Sequence, residues 1–153
     1  MAQASGIALA DMPLRRKLLE KIERDRDVHS ELRGPLKRAV TAVVAAHEED
    51  KDDLELAAPS MASFEGLLRF LGQSYRTDLW PSPAIALTPG GHFLAIWDIG
   101  PNRLSVEFVE ANAAKWVAVL RELDGVRVLK GEYAALDAFE EPPFPIPSRK
   151  AMA

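Results

Sequence analysis

A chain of 153 residues, 48% hydrophobic with a net charge of −4, has the size and apolar content of one globular domain able to bury roughly 70% of its unfolded-chain surface. The absence of cysteine excludes disulfides, thiolate nucleophiles and cysteine metal sites. The longest near-apolar run, Ala39 to Ala46, falls far short of the roughly 18 residues that cross a bilayer, and no leader pattern opens the chain, so a soluble cytoplasmic protein without membrane association is expected.

The charge is divided along the chain. Residues 1–46 carry nine Lys/Arg against six Asp/Glu, and residues 47–65 carry one against seven. A basic helix followed by an acidic hinge is a polarity that a partner can read, although charge runs of this kind most often form solvated faces.

Residues 1–10 are small and polar enough to be flexible. Asp11 can cap a long, charged helix on which Leu14, Leu18, Leu19, Ile22 and Leu32 share one narrow apolar face. Arg33-Gly34-Pro35 reads as a helix stop followed by a start. The second helix, Leu36 to about Glu49, carries Leu36, Val40, Val43, Val44 and His47 at helical spacing, which makes residues 11–49 a helical hairpin. The acidic run from Glu48 to Asp53 opposes the helix dipole and places a loop at 50–59.

Residues 60–131 read as an α+β core. Ser60 or Ser63 can cap a third helix with Met61, Phe64, Leu67, Leu68 and Leu71 on one stripe and Gly72 at its end. Pro83 to Val109 then alternates as three antiparallel strands. Thr88-Pro89-Gly90-Gly91 and Ile99-Gly100-Pro101-Asn102 supply the turns. Phe93, Ala95 and Trp97 oppose His92, Leu94, Ile96 and Asp98 on the middle strand, and Leu104, Val106 and Phe108 oppose Ser105 and Glu107 on the next. Asn112 can cap a helix with Ala113, Trp116, Val117, Leu120 and Leu123 at helical spacing, and Val126 to Lys130 reads as a fourth strand. The expected fold is α+β: N-terminal helices, a three-stranded antiparallel meander, then a helix and a fourth strand, in one domain of residues 1–153. A weak helical turn near Ala134 to Phe139 leads into residues 141–153, whose prolines exclude helix and predict a flexible or extended tail.

The spacing Pro81-x-Pro83, Thr88-Pro89-x-Gly91, a strand ending in Trp97 and the run Leu104-Ser105-Val106-Glu107-Phe108 resembles a group of small bacterial proteins with a helical front half and this meander behind it. Some of that group belong to toxin–antitoxin-like two-gene modules. The resemblance covers about residues 60–110, implies a partner protein, and brings no catalytic residue. The apolar pair Ala95-Ile96 before Trp97 departs from the more polar residue of many relatives.

Motif chemistry is largely excluded. His47-Glu48 would begin a zinc-protease helix, but Lys51 stands where the second histidine is required. His29, His47 and His92 have no ligand spacing. Asp50, Asp52, Asp53 and Glu55 lack the glycine and terminal glutamate of a calcium loop. Gly90-Gly91 joins strand to strand, so it aims no helix N-terminus at an anion. No cofactor or metal is expected. The basic residues of the first helix are interleaved with Glu20, Glu23, Asp25, Asp27 and Glu31, which disfavours a phosphate-binding face.

The leading expectation is a non-enzymatic interaction protein, an antitoxin or similar neutralising partner of a bacterial two-component system. Leu14, Leu18, Ile22 and Arg26, together with Phe144 of the tail, would contact the partner or a second copy of the chain. A second expectation is a small-molecule binder or enzyme using a polar cluster of His92, Asp98 and Glu107 on the sheet face. A third is a dimeric nucleic-acid-associated regulator built on the first helix.

Overall fold

A computed structural model describes residues 13–26, 28–50, 52, 54–77 and 82–133. The expectations for residues 1–10, for Asp11 as a cap and for residues 134–153, Phe144 among them, lie outside these residues. Three helices come first: α1 (Leu14–Arg24), α2 (Ser30–Asp50) and α3 (Met61–Thr77). Five strands follow: β1 (Ala84–Leu87), β2 (Phe93–Ile99), β3 (Asn102–Glu110), β4 (Ala113–Glu122) and β5 (Gly125–Tyr133). They form one antiparallel sheet in sequence order, β1-β2-β3-β4-β5.

The α+β class stands, but the expected three-stranded meander with a helix and a fourth strand is corrected. Residues 113–122 form β4, paired along its length with β3 and β5. The sequence AAKWVAVLRE satisfies both periods. Trp116, Val117 and Leu120 suit a helix, whereas Ala114, Trp116, Ala118 and Leu120 alternate with Lys115, Val117, Val119 and Arg121 as a strand does. Ala114, Ala118 and Leu120 are buried while Lys115 and Arg121 are exposed, so the period of two prevails. The β3 edge left open by a three-stranded meander supplies the pairing partner, and β-branched valines at 117 and 119 favour it.

The helical half is also redrawn. The first helix stops at Arg24, Asp25 turns extended, and α2 begins at Ser30, where His29 Nδ1 accepts the Glu31 N–H at 3.2 Å. The expected break at Arg33-Gly34-Pro35 does not occur, and α2 runs through Pro35. Proline so near the N-terminus removes one i→i−4 bond, to Glu31, and Gly34 does not adopt a positive φ. Leu36, Val40, Val44 and His47 then form one buried stripe. Ser60 is the cap of α3, its Oγ accepting the Ser63 N–H at 3.1 Å, and the helix continues past Gly72 to Thr77.

All three helices contribute to a single core against one face of the sheet. Leu18 and Ile22 of α1, Val40 and Val44 of α2, and Phe64, Leu67, Leu68 and Phe70 of α3 meet Phe93, Ala95, Trp97, Leu104, Val106 and Phe108. Phe64 lies 5.0 Å from Phe93, and Phe70 lies 5.5 Å from Phe108 and 5.9 Å from Trp97, all tilted. Each such ring contributes roughly 1.5–3 kcal/mol on burial. Among the described helices none is long and apolar enough to cross a membrane.

Three hydrogen bonds fasten the helical half to the meander. The Ala57 N–H donates to the Pro89 carbonyl and the Ser60 N–H to the Gly91 carbonyl, each at 2.8 Å. The Phe93 N–H, whose strand lacks a β3 partner before Leu94, donates to Ser63 Oγ at 2.7 Å.

Candidate interaction surface

Pairing partners in a sheet share a face, so the register sorts every strand residue. The inner face carries Ile85, Leu87, Phe93, Ala95, Trp97, Leu104, Val106, Phe108, Ala114, Trp116, Ala118 and Leu129. Facing away from the helices are Ala84 and Ala86, then Leu94, Ile96 and Asp98, then Arg103, Ser105 and Glu107, then Lys115, Val117, Val119 and Arg121, and finally Val126, Val128, Lys130 and Glu132.

An apolar band crosses that outer face, with Ser105 and Lys130 on either side of Val117. Leu94 and Ile96 are half-buried, and Val117, Val128 and Val126 are 36%, 50% and 58% exposed. Paired rows of charge flank them. Glu107, Lys115 and Glu132 stand opposite one another across β3 to β5, with charges alternating in sign. At the other end Arg103 grips Asp98 through two hydrogen bonds, Nε at 2.6 Å and Nη2 at 3.0 Å. The guanidinium hydrogen bonds hold the Asp98 carboxyl below the usual carboxylate range and push Arg103 up.

The polar residues expected to cluster on this face divide into two pairs. His92 Nδ1 and Glu107 Oε2 are 2.7 Å apart, both half-buried. Asp98 lies four residues farther along β2 from Leu94, the residue opposite Glu107, a displacement of about 13 Å. It is occupied by Arg103, a residue that no sequence motif singles out. His92 and Glu107 can hold or pass a proton between them, but the third member is absent from their neighbourhood.

The stripe expected to dock a partner lies elsewhere. Leu18 and Ile22 are fully buried in the protein's own core, Leu14 packs on that core, and Arg26 is exposed in the turn after α1. Three of the basic side chains on and beside that helix are in ion pairs. Lys21 pairs with Glu65 at 3.4 Å, Arg24 with Glu20 at 3.1 Å, and Lys37 with Glu23. No group of three metal-ligating side chains occurs among the described residues.

A cleft of about 370 Å³ opens between the C-terminal half of α2, the 54–56 loop and β1. Val43, Ala46 and His47 form its helical wall. His47 is buried, its Nε2–H donating to the Ala57 carbonyl at 2.7 Å while Nδ1 has no partner among the described residues. A smaller hollow of about 80 Å³ continues along β1 toward Leu32, Leu36 and Pro83.

The outer-face valines were missed as surface residues because residues 113–123 read as a helix, which hides the β4–β5 alternation. No family model, no curated protein and no solved structure matches this chain.

Proposed function

We propose that the protein is a non-enzymatic interaction module that presents the open face of its sheet to a partner protein. The observation that supports this reading is the apolar band Leu94, Ile96, Val117, Val119 and Val128 on a face that none of the three helices covers. An apolar centre between charged rows is the anatomy of a protein interface. The antitoxin-like neutralising role implied by the resemblance of residues 60–110 names the first partner to examine, the product of an adjacent gene in a two-gene module. The docking surface is assigned to the sheet rather than to the Leu14, Leu18 and Ile22 stripe.

The test is co-purification of the tagged full-length chain from its native cells at moderate salt, comparing the wild type with Val117→Asp/Val128→Asp. Both positions are exposed enough to accept the change without unfolding. A stoichiometric partner held by the wild type and lost by the variant is expected. Retention by both chains assigns the partner to another surface, and capture of nothing by the wild type removes the interaction reading.

A second reading, a small-molecule binder or enzyme, has the 2.7 Å contact of His92 with Glu107 in its favour. His92→Ala/Glu107→Gln should abolish ligand binding if the second reading holds; if the interaction reading holds it removes only one flanking charge, and partner capture should weaken far less than in Val117→Asp/Val128→Asp.

A further inference from the structure

Among the described residues β1 is an edge strand, paired on one side only, with β2. Gly91 N–H donates to the Thr88 carbonyl and Thr88 N–H to the His92 carbonyl, at 2.9 and 2.8 Å. Thr88 and His92 are therefore a hydrogen-bonded pair, and the alternation of an antiparallel ladder makes Ala86 and Ala84 the next residues bonded to β2. The N–H and C=O groups of Ile85 and Leu87 consequently point away from the sheet, and they have no hydrogen bond to any described residue. The cleft beside them is lined by Ile85 and Leu87 of the inner face and by Ala86 of the outer face. Only a cleft running along the strand's edge meets both faces.

We propose that the segment Pro143-Phe144-Pro145-Ile146-Pro147 of this same chain adds to that edge as a sixth, antiparallel strand, with Phe144 opposite Leu87 and Ile146 opposite Ile85. Two outward-facing residues two apart require two amide donors two apart. Phe144 and Ile146 are the non-proline residues of the segment, and each exchanges two ladder bonds with its partner. Pro143, Pro145 and Pro147 then face away from β1, where a missing N–H leaves nothing unsatisfied and closes the sheet against further pairing.

Side-chain size agrees with this register. Opposed residues share a face, so Phe144 enters the 370 Å³ cleft beside Leu87 and Val43. Ile146 follows toward the 80 Å³ hollow that shares Ile85. The chain also reaches. Leu87 pairs with Phe93, Phe108 with Ala114 and Ala114 with Tyr133, so β5 ends in the same row of the sheet as β1. A sixth strand lies five strand spacings, or about 24 Å, from β5, and ten residues from 134 to 143 span up to about 33 Å. Strand addition with alternate side chains in pockets is an established mode of segment recognition, and this reading stands apart from the use of the sheet's outer face.

The absence of cysteine makes a crosslinking test clean. In this register Ala86 stands opposite Pro145 as a non-hydrogen-bonded pair, about 4.5 Å between Cα atoms, within disulfide range. The full chain carrying Ala86→Cys/Pro145→Cys should form a monomeric disulfide on mild oxidation, while Ala84→Cys/Pro143→Cys, displaced by four residues, should remain reduced. Equal yields from the two pairs, no disulfide in either, or a disulfide found only in dimers overturns the proposal, the last by making a second copy's segment the occupant. Hydrogen exchange on a cysteine-free variant gives an independent reading. Phe144→Pro/Ile146→Pro removes both donors, and exchange at the Ile85 and Leu87 amides should quicken by about tenfold or more. Unchanged exchange also overturns it.

Discussion

A β-carbon on Gly91 would lie 2.2 Å from the carbonyl oxygen of Ala58. The turn Thr88-Pro89-Gly90-Gly91 places Gly91 at φ +85°, the left-handed position that follows a type I turn in a three-residue hairpin loop. The same residue's carbonyl accepts the Ser60 N–H, so the loop before α3 lies directly on the hairpin. Backbone conformation and backbone contact both require glycine here.

Gly91→Ala should therefore destabilise the protein by roughly 2–4 kcal/mol, combining left-handed strain with displacement of the 57–60 backbone. Gly90→Ala is the control, because the nearest atom to its added carbon is Thr88 Oγ1 at 3.7 Å and its φ is not positive. Urea denaturation of the two variants should separate them by at least 1 kcal/mol.

Ser63→Ala tests the fastening of α3 to β2. Ser63 is fully buried and its Oγ accepts the Phe93 N–H at 2.7 Å. Alanine leaves that N–H without a partner, a loss of about 1–3 kcal/mol. Phe93 amide exchange should accelerate with the fall in stability. Ser63→Thr retains the hydroxyl but adds a methyl to a filled core, so it should restore the exchange protection more fully than the stability.

Trp116 covers Gly131 across the β4–β5 pair, and an added β-carbon there would stand 2.6 Å from three indole atoms. A large ring over a strand glycine compensates for the side chain that glycine lacks. Gly131→Ala must move the indole rather than backbone, so it should cost about 1–2 kcal/mol, less than Gly91→Ala. Trp116→Ala should relieve the clash, and the double variant should show a coupling of at least about 0.5 kcal/mol in a mutant cycle.

The Asp98 carboxyl titrates below its ordinary range because Arg103 hydrogen-bonds its ionised form. A carboxyl depressed in the folded state adds stability above its unfolded pKa, and this is lost as pH falls through the folded value. Arg103→Ala should return the Asp98 titration, followed by NMR, to the normal carboxylate range. The pair is exposed to solvent, so the change in unfolding midpoint at neutral pH should be minor.

Phe93, Ala95 and Trp97 against Leu94, Ile96 and Asp98, and Leu104, Val106 and Phe108 against Ser105 and Glu107, were legible from alternation alone. The two turns between these strands were legible from their glycines and prolines. Such features are local, because the side-chain period of two and the φ preferences of glycine and proline act within a few residues. The stripes of α2 and α3 were readable for the same reason, whereas the choice of Ser60 over Ser63 as the cap came from the fold.

Tertiary structure decided the rest. AAKWVAVLRE fits a helix and a strand equally well, and its state follows from the open β3 edge beside it, a non-local pairing that no window of sequence contains. The Leu18 and Ile22 stripe is equally suited to a foreign groove or to the home core, and the core takes it because α2 and α3 offer apolar faces within reach. His92 meets Glu107 while Asp98 is held by Arg103 because the β2–β3 register sets which side chains are neighbours. Residue types and local periods thus belong to the sequence, and their partners belong to the fold, since pairing energy depends on which surfaces arrive together.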